Sequence, residues 1–207
     1  MHPNPIFRKA DADKNIAFAQ HRAFGALSIN GTDGGPLIAH IPFKLSDDGS
    51  YLEAHLVRSN PIYRALENPA SAVVAVSGGD GYISPDWYEV DDQVPTWNYV
   101  AVHLRGTLRR LPEQDLAGVL ERLSDTMESR LLPKPIWKMD KVSDDVLTKM
   151  MRQIVPIAID VTDIDGTWKL GQNKADAVRE GAAAKLGQDG FGLGTDWIAK
   201  LMKDPPA

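Results

Sequence analysis

Residues 37–45 alternate. Leu37, Ala39, Ile41 and Phe43 fall on one face, and Ile38, His40, Pro42 and Lys44 on the other. That period of two marks a strand with one buried face. No other feature constrains the fold as strongly, because turn chemistry brackets the strand on both sides. Gly31-Thr32-Asp33-Gly34-Gly35 precedes it and Asp48-Gly49 follows, so 24–30, 37–45 and 51–57 are expected as successive hairpin strands. Pro42 removes a ladder donor and is expected at an edge or a bulge. Residues 72–76 are apolar enough for a strand buried on both faces, broken by Gly78, Gly79 and Gly81. A fifth strand is expected over 97–111, bent at Gly106, and a last over 154–164.

Helical spacing or capping residues predict helices over 11–22, 61–67, 112–127, 143–153 and 174–185. Hairpins dominate and no serial strand–helix–strand alternation appears. The expectation is a mainly β chain with peripheral helices, built on an antiparallel barrel rather than a parallel nucleotide-binding sheet. No glycine-rich stretch has dinucleotide or P-loop spacing. The expected organisation is a barrel domain with flanking helices over 1–186, then a Gly-rich link and short helix over 187–207.

A 207-residue chain buries roughly 70% of its unfolded surface in one core and needs no staple. It has no cysteine, which excludes disulfides, thiolate zinc sites and iron–sulfur clusters. With no leader pattern and no apolar run of about 18 residues, a soluble cytoplasmic protein is expected, with no membrane association. The formal charge of −5 disfavours direct DNA binding, which depends on Lys and Arg neutralising phosphates. The one dense basic run, Arg105 to Arg110, reads as a solvated strand end.

Four segments hold more polar and aromatic chemistry than strands and turns require. They are Ala39-His40-Ile41-Pro42-Phe43; His55-Leu56-Val57-Arg58-Ser59-Asn60-Pro61; the aromatic stretch from Tyr82 to Tyr99; and Thr167 to Asn173. The second runs from a strand end into a helix start, gathering N–H groups, a hydroxyl and a guanidinium where an anion can bind. Taken alone, Arg58 reads more readily as a surface residue and Asn60 as only a helix cap. His40, His55 and His103 converge only if their strands are neighbours, and without cysteine or a spaced carboxylate a metal site is disfavoured. Ser84 lacks the GxSxG turn of a hydrolase nucleophile.

The text of these segments, in order, resembles the PaiB-like family of FMN-binding negative transcriptional regulators. The strings are His40–Phe43 (HIPF), His55–Pro61 (HLVRSNP), Tyr82–Tyr88 (YISPDWY), Val94–His103 (VPTWNYVAVH) and Trp168–Asn173 (WKLGQN). The likeness extends from about Phe7 to Ala184. It departs at Gly171, where the family commonly has serine, and at Asp80-Gly81, where a histidine is frequent. The resemblance implies a six-stranded antiparallel split barrel of the FMN-binding type, working as a homodimer with the flavin in a cleft near the interface. It implies that His40, Ile41, Pro42, Phe43 and His55 border the flavin and that Arg58, Ser59 and Asn60 hold its phosphate. Thr96, Trp97 and Asn98 line the cleft, while Lys169, Gln172 and Asn173 reach in from the same or the partner subunit.

The function so implied is FMN binding with an indirect effect on transcription, through flavin or another small molecule. The alternative is an FMN-dependent oxidoreductase that uses NAD(P)H on a small molecule, with Tyr88 and His103 as acid–base candidates. A haem-handling barrel and a direct DNA-binding repressor are further alternatives.

Overall fold

The computed structural model describes residues 1–31 and 34–206; Thr32 and Asp33 of the first expected turn lie outside the described residues. Six strands, β1 (Phe24–Asn30), β2 (Pro36–Leu45), β3 (Tyr51–Val57), β4 (Ala70–Ile83), β5 (Thr96–Arg110) and β6 (Ile154–Lys169), close in the order β1-β2-β3-β6-β5-β4. Pairing is antiparallel between β1 and β2, β1 and β4, β2 and β3, and β3 and β6. This is the expected six-stranded antiparallel split barrel. Closure removes the open edges through which β-proteins aggregate.

The chain divides into two compact units, each discontinuous in sequence: Met1–Asn15, Ser77–His103 and Asp165–Ala207 form one, and Ile16–Val76 with Leu104–Ile164 the other. In the second unit the alternation predicted for β2 holds. Ile41 and Phe43 are buried with Leu27, Leu52, Leu104 and Ile157, while His40 stays exposed. Each such side chain removed from water contributes about 1.5–3 kcal/mol. Pro42 is not at a free sheet edge. The β1 ladder ends at Pro42 and the β3 ladder begins at Phe43, so the missing N–H falls where β2 changes partners.

Helix α1 covers Ala12–Arg22, α2 covers Pro61–Ala65 and α3 covers Leu116–Glu128. The apolar stripe of α3 buries Leu116, Val119 and Leu123, and the helix packs against β2 and β3. Its Arg122 makes a forked pair with the buried Glu53 carboxylate of β3, at 2.8 and 2.7 Å. Helix α4 (Asp144–Met151) precedes β6. The basic run is tied down: Arg109 forks onto Asp160 of β6, and Arg110 donates to the Tyr63 carbonyl.

Two strands outrun their expected ends. In the first unit β4 continues through Gly78, Gly79 and Gly81 to Ile83. The glycines do not break the strand; they let other chain segments approach it. A Cβ on Gly79 would lie 2.7 Å from the Leu193 carbonyl oxygen, and one on Gly81 2.7 Å from a Leu186 methyl. Asp80 and Tyr82 N–H groups donate to the carbonyls of Leu193 and Phe191. The Gly-rich segment between α5 (Asp176–Asp189) and α6 (Thr195–Lys203) thus lies along β4. Similarly, β6 passes Ile164 and continues to Lys169. Its extension is anchored by N-terminal residues: Arg8 forks onto Asp165, and Asn15 accepts from the Trp168 indole at 2.9 Å.

Candidate functional site

The site residues predicted from sequence fall into two sets, one in each unit. In the second unit, β2 sends Ile41 and Phe43 into the core, 2% and 0% exposed. Neither residue is open to a ligand, and their side chains anchor the strand. His40 and Pro42 take the outer face, where the His40 ring stacks on Phe24 at 6.2 Å.

His55 lies on β3 opposite Pro156 of β6. Its Nδ1 is buried with no hydrogen-bond partner among the described residues. Burial lowers its pKa below the ordinary histidine value, which favours the neutral ring. Below about pH 6.5 an unfolded histidine takes up a proton that the folded one resists, so His55 costs stability as pH falls through that window. We expect the melting temperature to fall more steeply from pH 7.5 to pH 5.5 in the wild type than in His55→Gln. Parallel profiles would contradict the assignment.

Past β3 the chain turns through Arg58 and Ser59 into α2. Asn60 caps that helix, its Oδ1 accepting from Ile62 N–H at 2.9 Å, with Pro61 at the first position. The five-residue helix supplies no anion site of its own, so the turn's capacity for an anion lies in side chains. Ser59 is exposed. Arg58 donates through Nε to the Arg152 carbonyl at 3.0 Å and through Nη1 to the Glu113 carboxylate at 2.7 Å, and its own N–H donates to the Gln153 carbonyl. The guanidinium is held in place while 42% of the side chain stays exposed.

In the other unit, Lys169 at the end of β6 donates to the Thr96 hydroxyl of β5 at 2.5 Å. Partial burial lowers the ammonium's pKa. Trp97 is 43% exposed and meets Tyr82 and Phe191 edge to face, while Phe191 stacks on Tyr82 at 5.3 Å. Asn98 is buried; its Nδ2 donates to the Met202 sulfur, and its Oδ1 has no partner among the described residues. Gln172 uses both ends of its amide on its own turn, accepting from Leu170 N–H and donating to the Trp168 carbonyl. Asn173 is exposed.

Sequence reasoning missed Glu113 and Phe191. Glu113 precedes α3 and carries no motif; its ion pair with Arg58 is created by the fold. Phe191 had a weak signal, a large ring isolated among glycines. Among the described residues, no group of three or more His, Asp or Glu side chains is placed to hold a metal. No described helix is long and apolar enough to cross a membrane.

Residues 1–163 match a family described as "Putative FMN-binding domain". The chain belongs to this family. As an FMN-binding domain protein it is 31% identical to protease synthase and sporulation protein PAI 2 of Bacillus subtilis (strain 168), over 99% of this chain and 97% of that protein. The PaiB-like resemblance of the motifs therefore holds, and FMN is the cofactor. Among solved structures, the FAD and heme binding protein from Mycobacterium smegmatis superposes with a TM-score of 0.58 at 18% identity, covering 90% of this chain and 82% of that one. The flavocytochrome Anf3 from Azotobacter vinelandii gives 0.59 at 17% identity, covering 83% and 73%. At such identities the likeness is one of fold.

The donors of the second unit fit FMN. A phosphate dianion needs charge-assisted N–H and O–H donors, and the Arg58–Asn60 turn presents a guanidinium, a hydroxyl and the Asn60 amide NH2, which no described residue engages. His55 adds a neutral ring whose buried nitrogen the fold leaves unsatisfied.

Proposed function

We propose that this FMN-binding domain protein holds the FMN phosphate with Arg58, Ser59 and Asn60, and that the outer-face residues His40, Pro42 and His55 border the flavin. One observation carries the assignment: the Arg58 guanidinium is fixed by the Arg152 carbonyl yet remains partly exposed, beside a hydroxyl and the NH2 end of an amide whose oxygen caps α2. Ile41 and Phe43 act by fixing the strand. In the other unit Trp97 offers a flat apolar surface, Lys169 a cation steadied by Thr96, and Asn173 an exposed amide; Asn98 and Gln172 hold their shape. Bound FMN would supply the redox chemistry, and the Arg58 turn with the outer-face residues of β2 and β3 would bind and orient it.

The protein so proposed is a cytoplasmic homodimer that affects transcription indirectly, through its occupancy by flavin or another small molecule. The paired basic run of β5 and the charge of −5 support an indirect rather than a DNA-contacting role. Ligand-dependent change in the mass of the assembly, followed by light scattering with and without FMN, tests the homodimer; a monomer under both conditions rejects it. A second reading, an FMN-dependent oxidoreductase fed by NAD(P)H, draws on the exposed Trp97 indole beside Tyr82, where a second flat ring can stack. Steady oxidation of NAD(P)H by the FMN-loaded protein supports that reading; a rate no greater than that of free FMN removes it.

A further inference from the structure

Glu113 stands where an anionic ligand of Arg58 would bind. Its carboxylate Oε1 lies 2.7 Å from Arg58 Nη1, although the two residues are far apart in sequence and Glu113 is 66% exposed at the side chain. Arg58 is the partner the structure gives that carboxylate, and the pairing holds the Glu113 carboxyl below the usual carboxylate range. The other contacts of the guanidinium differ in kind. Nε is committed to the Arg152 carbonyl and the main-chain N–H to the Gln153 carbonyl, both neutral groups that set position without competing for charge. An exposed ion pair of this type is held weakly, so a stronger anion can displace it.

We infer that Glu113 is an internal competitor for the phosphate-binding guanidinium, lowering the affinity of the Arg58 turn for phosphorylated flavin and so setting its occupancy. The inference rests on the proposed assignment of the phosphate to Arg58. A phosphate dianion beside Glu113 meets both a preoccupied donor and a like charge. Neutralising Glu113 relieves both while keeping the side chain's size.

The test is titration of wild type, Glu113→Gln and Arg58→Ala with FMN and, separately, with riboflavin, which has the same ring and no phosphate. The expected result is that Glu113→Gln tightens FMN about two- to fivefold, the range set by exposed ion pairs, and leaves riboflavin unchanged. If Glu113→Gln weakens FMN or leaves it unchanged while Arg58→Ala loses affinity, Glu113 is a positioning residue or a bystander. The competition is then wrong and the phosphate assignment stands. If Arg58→Ala also leaves FMN unchanged, the assignment itself fails. Glu113 lies at the surface, and equal melting temperatures of the ligand-free proteins separate binding effects from folding.

Discussion

Replacing Arg58 by alanine is expected to weaken FMN binding by roughly tenfold to a hundredfold, while riboflavin binding changes by less than about twofold. The size follows from the bond type: a hydrogen bond from a charged donor to a charged acceptor contributes about 1.5–3 kcal/mol, and 1.4 kcal/mol is a factor of ten. In the wild type part of this is offset, because the Glu113 carboxylate competes for the same guanidinium. The selectivity between the two flavins matters more than the absolute loss. A general disturbance of the turn would weaken both ligands, since Asn60 and Pro61 begin α2 there. Equal losses for FMN and riboflavin would move the phosphate away from Arg58.

The largest expected effect on folding is at Gly106. Its position on β5 brings the chain so close to β6 that a Cβ would lie 2.1 Å from the Asp160 carbonyl oxygen and 2.9 Å from Val161 Cα. Both are main-chain atoms of a paired strand, so no side-chain rotation relieves the overlap. Gly106→Ala must separate β5 from β6 at a seam of the closed ring. Overpacking of this kind costs about 1–3 kcal/mol or more, which lowers the melting temperature of a chain of this size by roughly 2–12 °C. Thermal denaturation followed by circular dichroism checks it. A melting temperature within about 1 °C of wild type would mean that the strands are not held this tightly.

The barrel was largely legible because strand pairing depends on local signals that the sequence displays. The alternation through β2 sorted buried from exposed side chains correctly, and the hairpin signal at Asp48-Gly49 set β2 against β3. Two strand ends escaped for a common reason. Gly79 and Gly81 resemble breakers in sequence, but in the fold they admit the Leu193 carbonyl and the Leu186 side chain. The end of β6 is extended by residues from the other terminus, Arg8 and Asn15, which no local pattern announces. For Pro42 the sequence predicts an edge or a bulge, because period-two reasoning does not reveal that a strand changes partners midway.

The candidate site was less legible than the fold. Motif text identified the stretches but not the direction of each side chain within them. The HIPF string mixes two outward residues, His40 and Pro42, with two core residues, Ile41 and Phe43. Gln172 likewise carries the chemistry of a ligand contact, yet it uses its amide to close the turn after β6. Glu113 was invisible because its importance is electrostatic and depends on a partner 55 positions away. The helix start after Arg58 points to main-chain N–H groups as anion donors. In the fold the side chains are the available donors, since Asn60 already occupies the first-turn N–H of Ile62.

The most direct test of flavin binding is titration of the freshly purified protein with FMN, read in the visible spectrum and by thermal denaturation. A bound flavin should shift and sharpen its absorption bands. At a free concentration about 100 times Kd it should add about 2.7 kcal/mol of stability, raising the melting temperature by roughly 5–10 °C. Unchanged bands together with an unchanged melting temperature would contradict flavin binding by this chain.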